Sequence, residues 1–149
     1  MDAVLASIHH IAAFTLVGLI VGELVLLRGR LDGEGIGRFG RIDALYGVTA
    51  GVVVVAGIAR LVFGATPAEA YLANAFFWTK MAAFGAVAAL SVYPTLVGLR
   101  WRRSLAGDLS FEAPSGDVQA LRRALALELA ILPIIPVSAA LMARGIGAF

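Results

Sequence analysis

Apolar positions in this chain gather into four long runs, at about residues 3–27, 44–64, 75–99 and 123–143, with polar stretches between them. Each run is long enough to cross ~30 Å of hydrocarbon as a helix, which takes about 20 residues. A lone strand in lipid would leave its backbone groups unpaired, so helix is expected even over the β-branched run Val52–Val55. Pro94, Pro133 and Pro136 lie inside the third and fourth runs and are expected to kink them. The pattern predicts an all-α membrane protein, a four-transmembrane-helix bundle forming a single integral domain over residues 1–149.

Composition agrees. The chain is 60% hydrophobic and 15% charged, against roughly 45–50% and about 25% in soluble domains. One small core could not hide that much apolar surface, whereas a lipid bilayer covers the excess. The absence of cysteine excludes intrachain disulfides, thiolate zinc sites and iron–sulfur clusters. The first run has only Asp2 before it after Met1 and no basic segment. It also exceeds the roughly 7–15 apolar residues of a signal peptide, so it is read as a retained helix.

The connections differ in charge. Residues 28–42 and 100–122 carry Arg28, Arg30, Arg38, Arg41, Arg100, Arg102, Arg103 and Arg122, with Arg123 directly after, whereas residues 65–74 carry no Lys or Arg. Positive loops stay in the cytoplasm. Both termini are therefore expected on the outer, periplasmic side of a bacterial inner membrane. Tyr71 and Trp78 would mark the outer interface and Trp101 the inner one. The third connection reads as the one mobile linker, with Asp117 capping the start of the fourth helix. The arginines fit topology, so nucleic-acid binding is not expected.

Ionisable residues within the runs carry the candidate chemistry, since each costs about 2.5–3.5 kcal/mol at mid-helix. His9, His10, Arg60 and Lys80 fall in one outer layer, delivered by three helices. Glu23 and Glu128 fall in an inner layer, within reach of Arg28, Arg122 and Arg123. Bland readings accompany both layers: Arg60 and Lys80 snorkelling to headgroups, and the two glutamates locked in arginine pairs. His9 shares a face with Leu16 and Glu23 and is expected to point inward, while His10 shares one with Phe14, Val17 and Val21 that suits lipid. Gly18-x-x-x-Gly22 and Gly47-x-x-x-Gly51 are expected to permit close helix crossings. Met81 and Met142 read as packing residues.

Several segments resemble a bacterial family of predicted membrane proteins, domain of unknown function 2214. They are His9-His10-Ile11-Ala12-Ala13-Phe14, Glu23 through Arg28, Phe77-Trp78-Thr79-Lys80-Met81, Tyr93-Pro94-Thr95 and Leu141 through Gly145. The resemblance covers nearly the whole chain and implies the four-helix fold without an activity. More distantly, the chain looks like four-helix membrane protoporphyrinogen oxidases and copper-resistance D type membrane domains. Those families place a His early in the first helix, and the oxidases open their third with a Trp-x-x-Lys element. Trp78-Thr79-Lys80 has one residue fewer, and the His is a pair here. That likeness implies only that His9 or His10, Arg60 and Lys80 line one site; by its chemistry, a neutral imidazole of His9 or His10 is the candidate metal ligand there, for haem b iron or copper.

Three functions follow. One is an outer basic site for an anionic or haem/metal-type ligand. Adjacent histidines on one helix point about 100° apart, so they cannot clamp opposite faces of one porphyrin: one chain offers a single axial His with Met81, Lys80 or water opposite, or two chains of a homo-oligomer share a haem. The second is a small transporter or proton-handling protein using Glu23, Glu128 and the histidines. The third is a structural or assembly subunit. No phosphate-binding loop, nucleophile elbow or His-x-x-x-His motif is present, and whether the protein is an enzyme stays open.

Overall fold

A computed structural model describes residues 2–64 and 67–149. Helix α1 (Asp2–Leu26) ends where its apolar run ends. After a short turn, Asp32 accepts a hydrogen bond from the Gly35 amide at 3.1 Å, satisfying a donor that the first turn of a helix leaves unpaired. Helix α2 therefore spans Gly33–Phe63 and starts well before residue 44. A short helix α3 (Ala68–Leu72) follows, and α4 covers Ala75–Gly107. The fourth hydrophobic run is split into α5 (Ser115–Ile131) and α6 (Ile134–Ala143).

The connections differ from expectation. Most of residues 28–42 and 100–122 is helical, leaving 108–114 as the non-helical part of the presumed linker. Helix α5 begins at Ser115 after Pro114, so Asp117 lies in its first turn and is not the cap. The 31 residues of α2 and 33 of α4 make helices roughly 45–50 Å long, well beyond ~30 Å of hydrocarbon. Both carry arginines toward one end, Arg38 and Arg41 on α2 and Arg100, Arg102 and Arg103 on α4. There Leu31, Ile36, Phe39, Trp101, Leu121 and Leu125 pack into a core, and the Ala113 amide donates to the Leu31 carbonyl at 3.0 Å.

Trp101 belongs to this core. It is buried instead of sitting in an interfacial belt, and its ring lies 5.7 Å from that of Phe39. Trp78, by contrast, is exposed at the other end and donates its indole N–H to the Leu72 carbonyl at 3.1 Å.

The break in the fourth run follows from proline chemistry. Pro133 has no N–H to give to the Leu129 carbonyl. The chain then tightens, with Ile135 donating to the Leu132 carbonyl at 3.1 Å before α6 resumes. The consequence is architectural. Helices α1, α2, α4 and α5 contact one another in a ring, whereas α6 packs on α4 with little contact to α1. At the same end, the C-terminal tail is pinned to the start of α4 by Ala75 N–H to the Gly147 carbonyl (2.9 Å) and Asn74 Nδ2 to the Ile146 carbonyl (3.0 Å). Gly147 has φ 83°, and a Cβ there would lie 2.6 Å from Phe76, so no other residue fits.

Four segments are long and apolar enough to cross a membrane: Ala3–Leu26, Gly33–Phe63, Ala75–Gly107 and Ser115–Ala143. Their outer faces expose Phe14, Val48, Val55, Ile58, Leu96 and Val137, a surface suited to lipid and not to water. Of the two glycine pairs only Gly22 faces a neighbouring helix, a Cβ there standing 3.6 Å from Ile42 of α2, whereas Gly18, Gly47 and Gly51 have nothing near their Cβ positions. A closer approach between helices occurs at Gly98, where a Cβ would stand 3.2 Å from the Phe39 ring.

Candidate functional site

Two polar layers lie inside the bundle. The first is in the half that carries the chain ends. On α2, Phe39, Tyr46, Val53 and Arg60 recur at heptad spacing, and the first three are buried. On α4, Lys80 precedes Val87, Pro94 and Trp101 by the same spacing. On α1, His9 continues the buried line Ala12, Leu16, Ile20 and Glu23. The periodicity that builds the core thus turns His9, Arg60 and Lys80 toward the interior, and all three are half-buried.

His9 and His10 have different surroundings. His9 Nδ1 lies 3.1 Å from the Val53 carbonyl oxygen of α2. A carbonyl only accepts, so Nδ1 is the protonated nitrogen, and in the neutral ring Nε2 keeps a lone pair. Gly57, one turn further along α2, allows this approach: a Cβ there would sit 3.4 Å from His9 Cε1. His10 is exposed and bonds within its own helix, to the Ala6 carbonyl at 2.7 Å. The charges that act on His9 are those of Arg60, His10 and Lys80, and Arg60 also acts on Lys80. Lys80 Nζ stands 5.4 Å from the Phe77 ring centroid, a cation–π contact.

These residues bear directly on a metal or haem. Among the described residues no three His, Asp or Glu side chains gather to hold an ion. Were a haem held here, His9 would be the residue of this layer able to ligate its iron, and Arg60 and Lys80 those able to pair with its carboxylates.

The second layer lies toward the arginine-rich end. Glu23 and Glu128 are 2% and 0% exposed. Tyr46 donates its hydroxyl to Glu128 Oε2 at 3.4 Å. One turn before Tyr46, Asp43 accepts from Thr95 Oγ1 of α4 at 2.8 Å. The expected arginine partners are absent from this layer. Arg28, Arg122 and Arg123 are exposed, and Oε1 of Glu23 and of Glu128 has no hydrogen-bond partner among the described residues. Helical phase explains it. At about 100° per residue, Arg122 and Arg123 lie roughly 120–140° around α5 from Glu128. Other arginines pair at the surface: Arg30 with Glu112, Arg38 with Glu34, and Arg100 with Asp117. Glu128 lies inside the bundle, where α5 meets α1, and its hydrogen bond goes to Tyr46 of α2.

The sequence singles out neither Tyr46 nor Gly57, and Thr95 only within the Tyr93-Pro94-Thr95 segment. The heptad line through Tyr46 and Val53 was the available signal for the first. The others act through contacts between helices that no local pattern encodes.

A family model described as Predicted membrane protein (DUF2214) matches residues 1–147. The chain belongs to that family. No curated protein and no solved structure matches it, so the more distant likeness to oxidases and copper-resistance domains gains no support there.

Proposed function

We propose that this member of the family binds an anionic ligand at His9, Arg60 and Lys80, in the outer half of a single-domain bundle embedded in a bacterial inner membrane. The orientation rests on the arginine asymmetry, which assigns the extended ends of α2 and α4 to the cytoplasm and the chain ends to the periplasm. The observation that carries the binding site is that three helices turn basic side chains inward at one level, with the charges of both Arg60 and Lys80 acting on His9. Like charges at about 4 Å repel by roughly 1–4 kcal/mol depending on local dielectric. A bound carboxylate or phosphate turns that cost into attraction. Access is lateral, because α6 leans on α4 and makes little contact with α1.

A haem-type ligand is the second reading, and one feature favours it. A ring nitrogen donated to a backbone carbonyl, as His9 Nδ1 is to Val53, orients the other nitrogen for a metal. Titration of the purified protein in nanodiscs with haemin and with iron-free protoporphyrin separates the readings. Binding of both, weakened by Arg60→Ala and Lys80→Ala in protein that keeps its helical signal, supports an anion site. Dependence on His9 for haemin alone adds axial ligation. Loss of folded protein in step with loss of binding would make the cluster purely structural.

A further inference from the structure

A carboxylate inside a bundle is tolerated when a cation, a proton or several donors accompany it. Glu23 of α1 and Glu128 of α5 are 2% and 0% exposed, and the groups facing them are few. Helix α2 contributes Asp43 and Tyr46, and α4 contributes uncharged Ser91 beside Tyr46 and Thr95 bonded to Asp43. The charges acting on Glu23 are Asp43 and Glu128, both acidic. Tyr46 supplies one donor, at 3.4 Å from Glu128 Oε2. Oε1 of Glu23 and Oε1 of Glu128, from two different helices, have no hydrogen-bond partner among the described residues. Among the described residues, two buried oxygens without a hydrogen-bond partner therefore lie in a layer whose named neighbours are acids and hydroxyls.

The missing companion is small. Hard metal ions take about six or more oxygens, and among the described residues no three acidic or His side chains come together closely enough to share an ion. A proton needs one oxygen and turns an unpaired acceptor into a donor.

We propose that Glu23 and Glu128 form a proton-binding site, with Tyr46 as its hydrogen-bond donor and half-buried Asp43 as the carboxyl through which protons enter from the arginine-rich end. Access is from one side. On the way to His9, α1 presents Ile20, Leu16 and Ala12, all buried, over two heptads or about 21 Å of helix. The proton site is thus distinct from the basic layer, and its existence does not depend on the anion reading.

The test uses the intact protein in nanodiscs. Its infrared spectrum should contain carbonyl bands of protonated carboxyls at neutral pH, and dicyclohexylcarbodiimide, which attacks protonated acids in apolar surroundings, should modify Glu23 or Glu128. Labelling should fall as pH rises and be the same in sodium and potassium salts. Glu128→Gln and Glu23→Gln should each remove an infrared band, while Asp43→Asn should keep the bands and slow their exchange in deuterated water. The wild-type spectrum decides the matter even if a glutamine variant misfolds. Absence of protonated-carboxyl bands overturns the proposal, and so does protection by sodium, which would make this a cation site.

Discussion

The Nδ1–H of His9 and the carbonyl oxygen of Val53 meet at 3.1 Å across the seam between α1 and α2. That carbonyl also belongs to the α2 helical ladder, so the histidine takes its second lone pair. The contact fixes the ring's tautomer and orientation, and it ties the first helix to the second at the level of the basic layer. His10, the next residue, has no such tie to another helix, because its ring nitrogen bonds the Ala6 carbonyl of its own turn.

The two histidines should therefore respond differently to removal. His9→Ala loses an interhelical hydrogen bond and should destabilise the protein by about 1 kcal/mol, the usual net worth of such a bond. His10→Ala, at an exposed position, should stay within roughly 0.5 kcal/mol of wild type. Reversible unfolding in mixed micelles measures both. Equal effects would show that the Val53 contact contributes nothing.

How far the sequence reveals this molecule depends on scale. The spans were legible because ~20 consecutive apolar residues have few other uses, and the inward turn of His9 because it shares a heptad face with Leu16 and Glu23. The helical ends of α2 and α4 were not. Gly35, Gly37 and Gly40 have low helix propensity and read as loop. In the folded chain the glycines lie at close approaches: a Cβ at Gly40 would touch Arg102 at 3.4 Å, and one at Gly33 would touch Leu105 at 3.4 Å. The second layer was half legible. Glu23 and Glu128 stood out as buried charges, but their neighbours depend on how four helices are rotated, and nearby arginines in sequence were a misleading guide.

Asp108, just beyond α4, offers a pH test outside the spanning segments. Its carboxylate accepts from the Ser110 hydroxyl at 2.6 Å and the Ser110 amide at 2.9 Å, and these bonds hold its pKa below the ordinary aspartate value. A depressed folded value means the contribution is present above the unfolded pKa and is lost as pH falls through the folded one. Carboxyl carbon shifts in a pH titration should show Asp108 titrating below free aspartate. Ser110→Ala should move it back upward. An unchanged midpoint in that variant would remove the hydroxyl from the account.

The proposed orientation is open to direct labelling, since the chain contains no cysteine. Leu109 is 90% exposed in the turn after α4, and Glu69 is exposed on α3 at the opposite end. In intact cells Glu69→Cys should react with a membrane-impermeant maleimide, and Leu109→Cys should react once the cells are opened. The reverse pattern would invert the protein and place the basic layer in the cytoplasmic half.

Trp101 tests the core beyond the apolar slab. Its indole is 1% exposed, packs on Phe39, and donates to Asp117 Oδ2 at 3.0 Å, the oxygen that also accepts from Arg100 at 2.7 Å. One side chain thereby joins α4 to α2 by packing and to α5 by a hydrogen bond. Trp101→Ala should cost about 3–5 kcal/mol, as truncation of a buried tryptophan does. Trp101→Phe keeps most of the packing and leaves Asp117 its arginine, so it should lose nearer 1 kcal/mol, the worth of one hydrogen bond. Fluorescence gives a second readout free of folding energetics. With Trp78→Phe, the remaining Trp101 should be shielded from both aqueous acrylamide and lipid-borne quenchers, because protein surrounds it on all sides. An interfacial tryptophan would be quenched from the lipid and would tolerate alanine at little cost. That outcome would mean the arginine-bearing ends of α2, α4 and α5 do not close into a core.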